Sequence, residues 1–197
     1  MNSRNANFAA VKLCLIHEMM DVIQLISKYC SDNQELQSLL VRHSRDVADK
    51  ALAIAKQHPE LDVDLAFVEE AAMLHDIGIV MTDAPGIHCY GENPYIRHGI
   101  LGAEILRKEG LPRHARVAER HTGAGITAAE VTSQNLPLPV ADYLPETMEE
   151  KLICYADKFF SKSHPEKEKT LESARRSLMK FGGQTMSRFE EMVSMFE

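Results

Sequence analysis

Six residues of the types that bind transition-metal ions lie on or beside apolar helical stretches of the sequence. They are His43, His75, Asp76, His98, His121 and Asp157. The central pair, His75 and Asp76, belongs to the segment AAMLHDIGIV, whose apolar neighbours predict burial. An imidazole or a carboxylate is costly to bury unless it is paired or bound to a metal, and four imidazoles with two carboxylates suit two first-row transition metals. The sequence therefore predicts metal-assisted chemistry.

The order of these residues favours a shared site with Asp76 at its centre. Neighbouring residues on an α-helix point about 100° apart, so His75 and Asp76 converge most easily where a helix ends, and Gly78 marks such an end. We expect Asp76 to bridge two ions, with positions left open for water and substrate. The expected partition is His43, His75 and Asp157 for one ion, and His98 and His121 for the other.

A simpler arrangement stays open for the second ion. His98 could cap its own helix, and His121 could satisfy a carbonyl group at a helix end. Only one metal would then bind.

The spacing of apolar residues predicts helix along most of the chain. The predicted helices span residues 8–29, 35–57, 64–78, 95–109, 112–121 and 145–162, followed by a charged helix between Pro165 and Phe181 and a short amphipathic piece. Asp64 is the expected N-cap of the third helix. Residues 80–94 are dense in Gly, Pro, Asp and Asn, and we expect a structured loop there rather than a strand or helix. Residues 122–145, with three prolines, are expected to be loop-like.

These elements predict one all-α domain. Residues 1–34 are expected to form an N-terminal helix, residues 35–165 the core with the metal site, and residues 166–197 helices that pack on the same domain. The final piece carries apolar side chains at helical spacing, which indicates docking on the core or a homodimer contact. These side chains are Met186, Phe189, Met192, Val193 and Phe196.

Composition narrows the classes of partner. The chain has 197 residues and a formal net charge of -7, without a basic stripe, which argues against a long nucleic acid as a partner. The cysteines, Cys14, Cys30, Cys89 and Cys154, lack CxxC spacing, which favours reduced thiols and a cytoplasmic protein. No apolar run approaches the length of a membrane-spanning helix, so we expect no membrane association.

The pattern resembles the HD-domain superfamily of metal-dependent phosphohydrolases, which is defined by an early His, a His-Asp pair and a late Asp. His43, His75-Asp76 and Asp157 match these positions, and the segments HGILGAEIL and ERHTGAGIT look like the additional histidines of the dinuclear branch. The resemblance covers residues 39–161. It implies an HD-type helical bundle that binds one or two divalent transition metals, such as Fe, Mn, Ni, Co or Zn. We expect two.

The resemblance also implies an activity. We expect hydrolysis of a small phosphorylated metabolite or nucleotide, including a dinucleoside polyphosphate, by hydroxide that the metals generate. Many relatives have a Lys after HDIG that helps to hold phosphate, whereas this chain has Ile79. The GYP signature of cyclic dinucleotide phosphodiesterases is absent, which argues against cleavage of cyclic dinucleotides.

Four residues are the candidates for catalysis. Asp76 is expected to orient the hydroxide, and Lys158, Arg97 and Arg120 each sit beside a candidate ligand and could hold phosphate. Neighbours on a helix diverge, so each cation could instead lie on a solvated outer face, and Lys158 is the preferred one. Weaker pocket candidates come from the loops, namely Thr122, Asp83 and Tyr90.

Two other functions remain open at the level of sequence. The superfamily also contains di-iron oxygenases with a similar ligand set, and dependence on dioxygen and reduced iron would distinguish them. A non-catalytic module that binds a nucleotide is the other alternative. Such a module would bind a nucleotide in its metal-loaded form without catalysing a reaction.

Overall fold

Helices dominate the computed structural model, which describes residues 21–163 and 167–197. The predicted all-α fold is confirmed. The helices are α1 Val22–Cys30, α2 Gln34–Gln57, α3 Leu65–Leu74, α4 His98–Lys108, α5 Pro112–Arg120, α6 Ala128–Ser133, α7 Met148–Asp157, α8 Leu171–Leu178 and α9 Gly183–Phe196. Most of the helix predicted over residues 8–29 lies outside the described residues, of which α1 is the part within them.

The core forms around α2, which packs against α3 and α7. Its apolar stripe is fully buried at Leu40, Val47 and Ala51, because residues three and four apart share one face of a helix. Capping side chains fix where these helices begin. Asn33 accepts a hydrogen bond from the backbone N–H of Leu36, and Asp64 does so from Phe67 at the start of α3, as predicted.

The third helix ends earlier than predicted. The α-helix stops at Leu74, and a 3-10 helix, Ile77–Met81, follows His75 and Asp76. Gly78 lies in this 3-10 helix against α4, since a Cβ atom on Gly78 would lie 2.0 Å from the carbonyl oxygen of His98. The tighter turn starts where the His-Asp pair lies, which lets both side chains point to one side.

The expectation of a loop without strands over residues 80–94 is wrong. Three short strands occur there, β1 Thr82–Ala84, β2 Cys89–Tyr90 and β3 Asn93–Pro94. They form a sheet in the order β2-β1-β3, with β1 antiparallel to β2 and parallel to β3. Strands of two or three residues are too short to show apolar alternation in sequence.

Three further boundaries differ from the predictions. Residues 122–145 contain α6, whose capping box joins Thr127 and Glu130, and a helix of six residues is too short to give a periodic pattern. The helix predicted to end at residue 162 stops at Asp157. The C-terminal charged helix begins at Leu171 rather than directly after Pro165, so the run of alternating charges precedes it.

The apolar stripe near the C-terminus packs on the chain's own core. Phe189, Met192 and Phe196 are buried, and Tyr155 of α7 stacks on Phe189 with ring centroids 5.6 Å apart. The Tyr155 hydroxyl donates a hydrogen bond to the carboxylate of Glu197. A homodimer through this segment stays a prediction. Within the described residues, no helix is both long and apolar enough to cross a membrane.

Arg188 of α9 binds the loop that follows α5. Its guanidinium donates to the carbonyl oxygens of Ala124 and Gly125 and to the Glu130 carboxylate, each at 2.9 Å. We expect Arg188→Met to lower the free energy of unfolding by about 2 kcal/mol, because Glu130 then keeps a nearly buried charge without its cation. Chemical denaturation measures the change. Arg176→Met, at an exposed position, is the control, and equal losses in both variants would contradict this role.

Candidate metal centre

The six predicted ligands come together from five separate parts of the chain. His43 lies in the middle of α2, His75 and Asp76 follow α3, His98 begins α4, and the other two lie at the ends of α5 and α7. They form two groups in which one atom from each side chain lies within 4.8 Å of the others. The groups are His43, His75, Asp76 and Asp157, and Asp76, His98 and His121. Asp76 belongs to both.

In the first group the nitrogens face two carboxylates. His43 Nε2 lies 3.1 Å from Asp76 Oδ2 and 3.0 Å from Asp157 Oδ1. His75 Nε2 lies 3.0 Å from Asp76 Oδ2 and 3.6 Å from Asp157 Oδ1. The four side chains thus surround one point with two nitrogens and two oxygens.

In the second group two imidazoles face the other oxygen of Asp76. His98 Nε2 and His121 Nε2 are 3.1 Å apart, and they lie 3.6 Å and 3.4 Å from Asp76 Oδ1. Each oxygen of Asp76 therefore belongs to a different group. A carboxylate placed in this way could contribute one oxygen to each of two ions.

Backbone carbonyl groups fix the orientation of three imidazoles. Nδ1 of His75 lies 2.6 Å from the oxygen of Ala72, and Nδ1 of His98 lies 2.8 Å from that of Tyr95. His121 makes the same contact with Ala118 at 2.8 Å. A carbonyl oxygen only accepts, so each Nδ1 carries a proton and each Nε2 is the atom that would bind a metal.

The donor atoms fit a pair of transition-metal ions. Nε2 of His43 and Nε2 of His75 face carboxylate oxygens, but within the described ranges neither nitrogen makes a hydrogen bond of good geometry. Buried polar atoms are rarely left in this way, and a metal ion would satisfy both. Four nitrogens with two carboxylates favour Fe, Mn, Co, Ni or Zn over Ca²⁺ or Mg²⁺, which prefer oxygen.

The charges of the cluster are also suited to metal binding. Burial disfavours the charge of Asp76 and Asp157, but Lys162 and Lys158 respectively, with nearby imidazoles, hold the pKa of each carboxyl well below its usual range. Burial and the neighbouring His121 lower the pKa of His98 to about 3, so that its ring is neutral at pH 7. Both carboxylates are therefore charged, as ligands must be.

His75 makes metal binding depend on pH. Burial opposes the charge of its ring, but the carboxylates of Asp76 and Asp157 raise its pKa to about 9. The ring is protonated below that pH, so a metal ion must displace the proton. We expect release of about one proton from His75 on binding at pH 7.5, and affinity that rises roughly tenfold per pH unit until about pH 9. Calorimetry with Zn²⁺ in buffers of different ionisation enthalpy measures the proton count, and a value near zero would contradict it.

The three cations predicted to hold phosphate lie in different surroundings. The Lys158 ammonium lies 2.8 Å from Asp157 Oδ2, beside the cluster. Arg120 instead pairs with Glu146 at 2.6 Å and donates to the carbonyl oxygen of Leu144. Arg97 and Arg120 do not line the cavity beside the cluster.

Of the three pocket candidates from the loops, one lines the cavity and two do not. Thr122 lines the cavity, with its hydroxyl 3.4 Å from His98 Nε2. Asp83 and Tyr90 are exposed on the small sheet and do not line it.

Sequence reasoning missed Lys162, whose ammonium lies 2.5 Å from Asp76 Oδ2. The helix predicted to continue to Lys162 ends at Asp157, so the helical pattern does not indicate the direction of this side chain. Ile79 occupies the position where many relatives have lysine, and its side chain is fully buried. In this chain Lys162 places a cation beside the His-Asp pair. Tyr95 was also missed, and its ring stacks on that of His98 with centroids 4.8 Å apart.

A cavity of about 450 Å³ opens beside the cluster. His98, His121 and Asp157 form part of its wall, and apolar side chains such as Ile126, Leu136 and Phe181 form another part. A cavity of this size suits a small molecule.

The family model of the HD domain matches residues 40–161, which is more than half of the chain, and the chain therefore belongs to the HD-domain family. This confirms the resemblance of the ligand pattern. No solved structure matches the chain.

Three relatives extend the comparison. An uncharacterized protein from Methanocaldococcus jannaschii is 38% identical over 143 residues, which are 71% of this chain and 73% of that protein. Proteins named tRNA (cytidine(56)-2'-O)-methyltransferase from Picrophilus torridus and Thermoplasma volcanium are 39% and 34% identical over 75% and 76% of this chain. The matched region spans only 38% of each methyltransferase.

Proposed function

We propose that the protein is a metal-dependent phosphohydrolase that acts on a small phosphorylated metabolite or nucleotide. The observation that carries the proposal is the division of Asp76 between two groups of ligands, with Oδ2 in one and Oδ1 in the other. Membership of the HD-domain family supports this class of reaction.

The side chains around the cluster have separate roles in the proposed reaction. Two metals, when bound, supply hydroxide near neutral pH by lowering the pKa of water. Asp76 orients the nucleophile, and His43, His98 and the remaining ligands fix the geometry. Lys158 and Lys162 neutralise charge on the phosphate oxygens, because both line the cavity at its metal end. Attack is direct, without a covalent intermediate on the protein.

A second candidate substrate is a phosphate group at the end of an RNA. Two relatives are named tRNA (cytidine(56)-2'-O)-methyltransferase, which favours it. The net charge of -7 disfavours a long RNA-binding surface, so only the terminal nucleotide would enter the cavity. Release of phosphate from short RNAs with 5′- or 3′-terminal phosphates, compared with free nucleotides, distinguishes the two substrates.

Phosphate release by the metal-loaded protein tests the proposed function. The substrates are a panel of mononucleotides, dinucleoside polyphosphates and sugar phosphates, each assayed with and without dioxygen. We expect turnover of at least one substrate at the same rate in both atmospheres. Turnover that requires dioxygen and reduced iron would instead establish the oxygenase, and tight binding without turnover would establish the non-catalytic module.

Lys162 provides a test of the phosphate-binding role. We expect Lys162→Met to lower kcat/KM about 100-fold, because one cation next to the reacting phosphate is removed. The metal content should stay at the wild-type value, since the ligands are unchanged. Lys56→Met, at an exposed position outside the cavity, is the matched control. Equal kcat/KM in the two variants would rule out this role for Lys162.

A further inference from the structure

The cavity beside the metal centre extends beyond the segment that matches the HD family. The match ends at residue 161, whereas Lys169, Lys180 and Phe181 of the cavity wall follow it. We call this part the outer wall. Because all six metal ligands precede residue 161, the outer wall is the part of the site in which this chain can select its own substrate.

Positive charge on the outer wall is not balanced by acidic side chains. Lys169 and Lys180 line the cavity, and neither forms an ion pair with a carboxylate in residues 21–163 and 167–197. Of the acidic residues in the cavity wall, Glu130 is bound to Arg188 and Asp157 to Lys158. This excess of cations stands out in a chain whose formal net charge is -7.

The backbone holds Lys169 at the cavity. Its N–H donates to the carbonyl oxygen of Phe159 at 2.7 Å, and its ammonium lies 3.4 Å from the carbonyl oxygen of Lys158. Burial lowers the pKa of Lys169; the charge of Asp157 opposes this, and Lys158, Lys162 and Lys180 lower it further. Because Lys158, Lys162, Lys169 and Lys180 all line this one cavity, an anion bound there would reduce the repulsion between their like charges.

We propose that Lys169 and Lys180 form a second anion subsite for a phosphoryl group, so that the substrate carries two phosphoryl groups. The first would lie at the metal centre, and this part rests on the proposed function. Two ammonium groups match the charge of a phosphate monoester, about −1.5 to −2, better than the single charge of a carboxylate. Phe160, Leu178 and Phe181 line the same cavity and would contact the part of the substrate that joins the two groups.

Binding of non-hydrolysable probes tests the subsite independently of turnover. Calorimetry compares methylphosphonate with alkane bisphosphonates of increasing spacer length, all with the metal-loaded protein. We expect the best bisphosphonate to bind wild type at least tenfold more tightly than methylphosphonate. In Lys169→Met/Lys180→Met this advantage should fall below about twofold, whereas the affinity for methylphosphonate changes by no more than about threefold.

Two controls keep the test decisive. Lys56→Met/Lys108→Met removes the same charge from exposed positions outside the cavity and should keep the full advantage. Lys180→Met alone changes an exposed side chain and should lose part of it without affecting folding. No advantage in wild type, or the same advantage in the double variant, would overturn the subsite. If the subsite is found but no phosphate ester is hydrolysed, only the proposed function fails.

Discussion

Replacement of Asp76 with asparagine is expected to weaken the binding of both metal ions about 100-fold or more and to lower turnover about 1000-fold. The two carboxylate oxygens lie in different groups of ligands, so one substitution affects both ions. The amide keeps the shape of the side chain but loses the charge that both ions share. Metal content after desalting, measured by plasma mass spectrometry, and phosphate release give the two results.

Asp49→Asn is the matched control for this substitution. Asp49 lies on α2 with His43, but its side chain is exposed. We expect wild-type metal content and turnover in this variant, with circular dichroism to confirm that both proteins are folded. If Asp76→Asn keeps two tightly bound ions, the carboxylate of Asp76 does not bridge them.

Substitution of Gly78 by alanine has the second largest expected effect. A Cβ atom at this position would lie 2.0 Å from the carbonyl oxygen of His98 and 2.3 Å from the backbone nitrogen of Gly102. Backbone atoms in a packed helix cannot move away cheaply, so we expect a loss of about 3 kcal/mol in the free energy of unfolding. Thermal unfolding should show a midpoint about 6–12 °C lower.

The same substitution should also weaken the second metal. The His98 carbonyl belongs to the first turn of α4, and displacement of this turn moves the imidazole away from His121 and Asp76. Gly86→Ala is the control, because no heavy atom lies within 4 Å of its added Cβ. Unfolding midpoints within 2 °C of each other in the two variants would show that α4 does not require glycine at residue 78.

The histidines and aspartates that the structure brings together can be identified in the sequence for a physical reason. A histidine or aspartate on an apolar helix face is expensive to bury, so His43 and Asp157 can be recognised from their neighbours alone. Helix ends are also visible in sequence, and they locate the His75-Asp76 pair and His121. The all-α fold follows from the same apolar spacing, which runs through α2, α3 and α7.

Other parts of the site depend on contacts that sequence does not reveal. Lys162 reaches Asp76 from beyond the end of α7, and Arg120 turns towards Glu146 rather than the cavity. Both directions depend on how the helices pack. The small sheet and α6 were missed because two or three residues of strand, or six of helix, carry too little periodicity, although Thr127 and Glu130 have the spacing of a capping box.

The number of metal ions per chain is the most direct test of a site divided at Asp76. Metal-free protein would be saturated with Mn²⁺, desalted and analysed by plasma mass spectrometry against its protein concentration. Wild type should hold two ions per chain, and His121→Ala should hold one, because its ring belongs to the second group only. One ion or none in the folded wild-type protein would contradict the dinuclear site and the bridging role of Asp76.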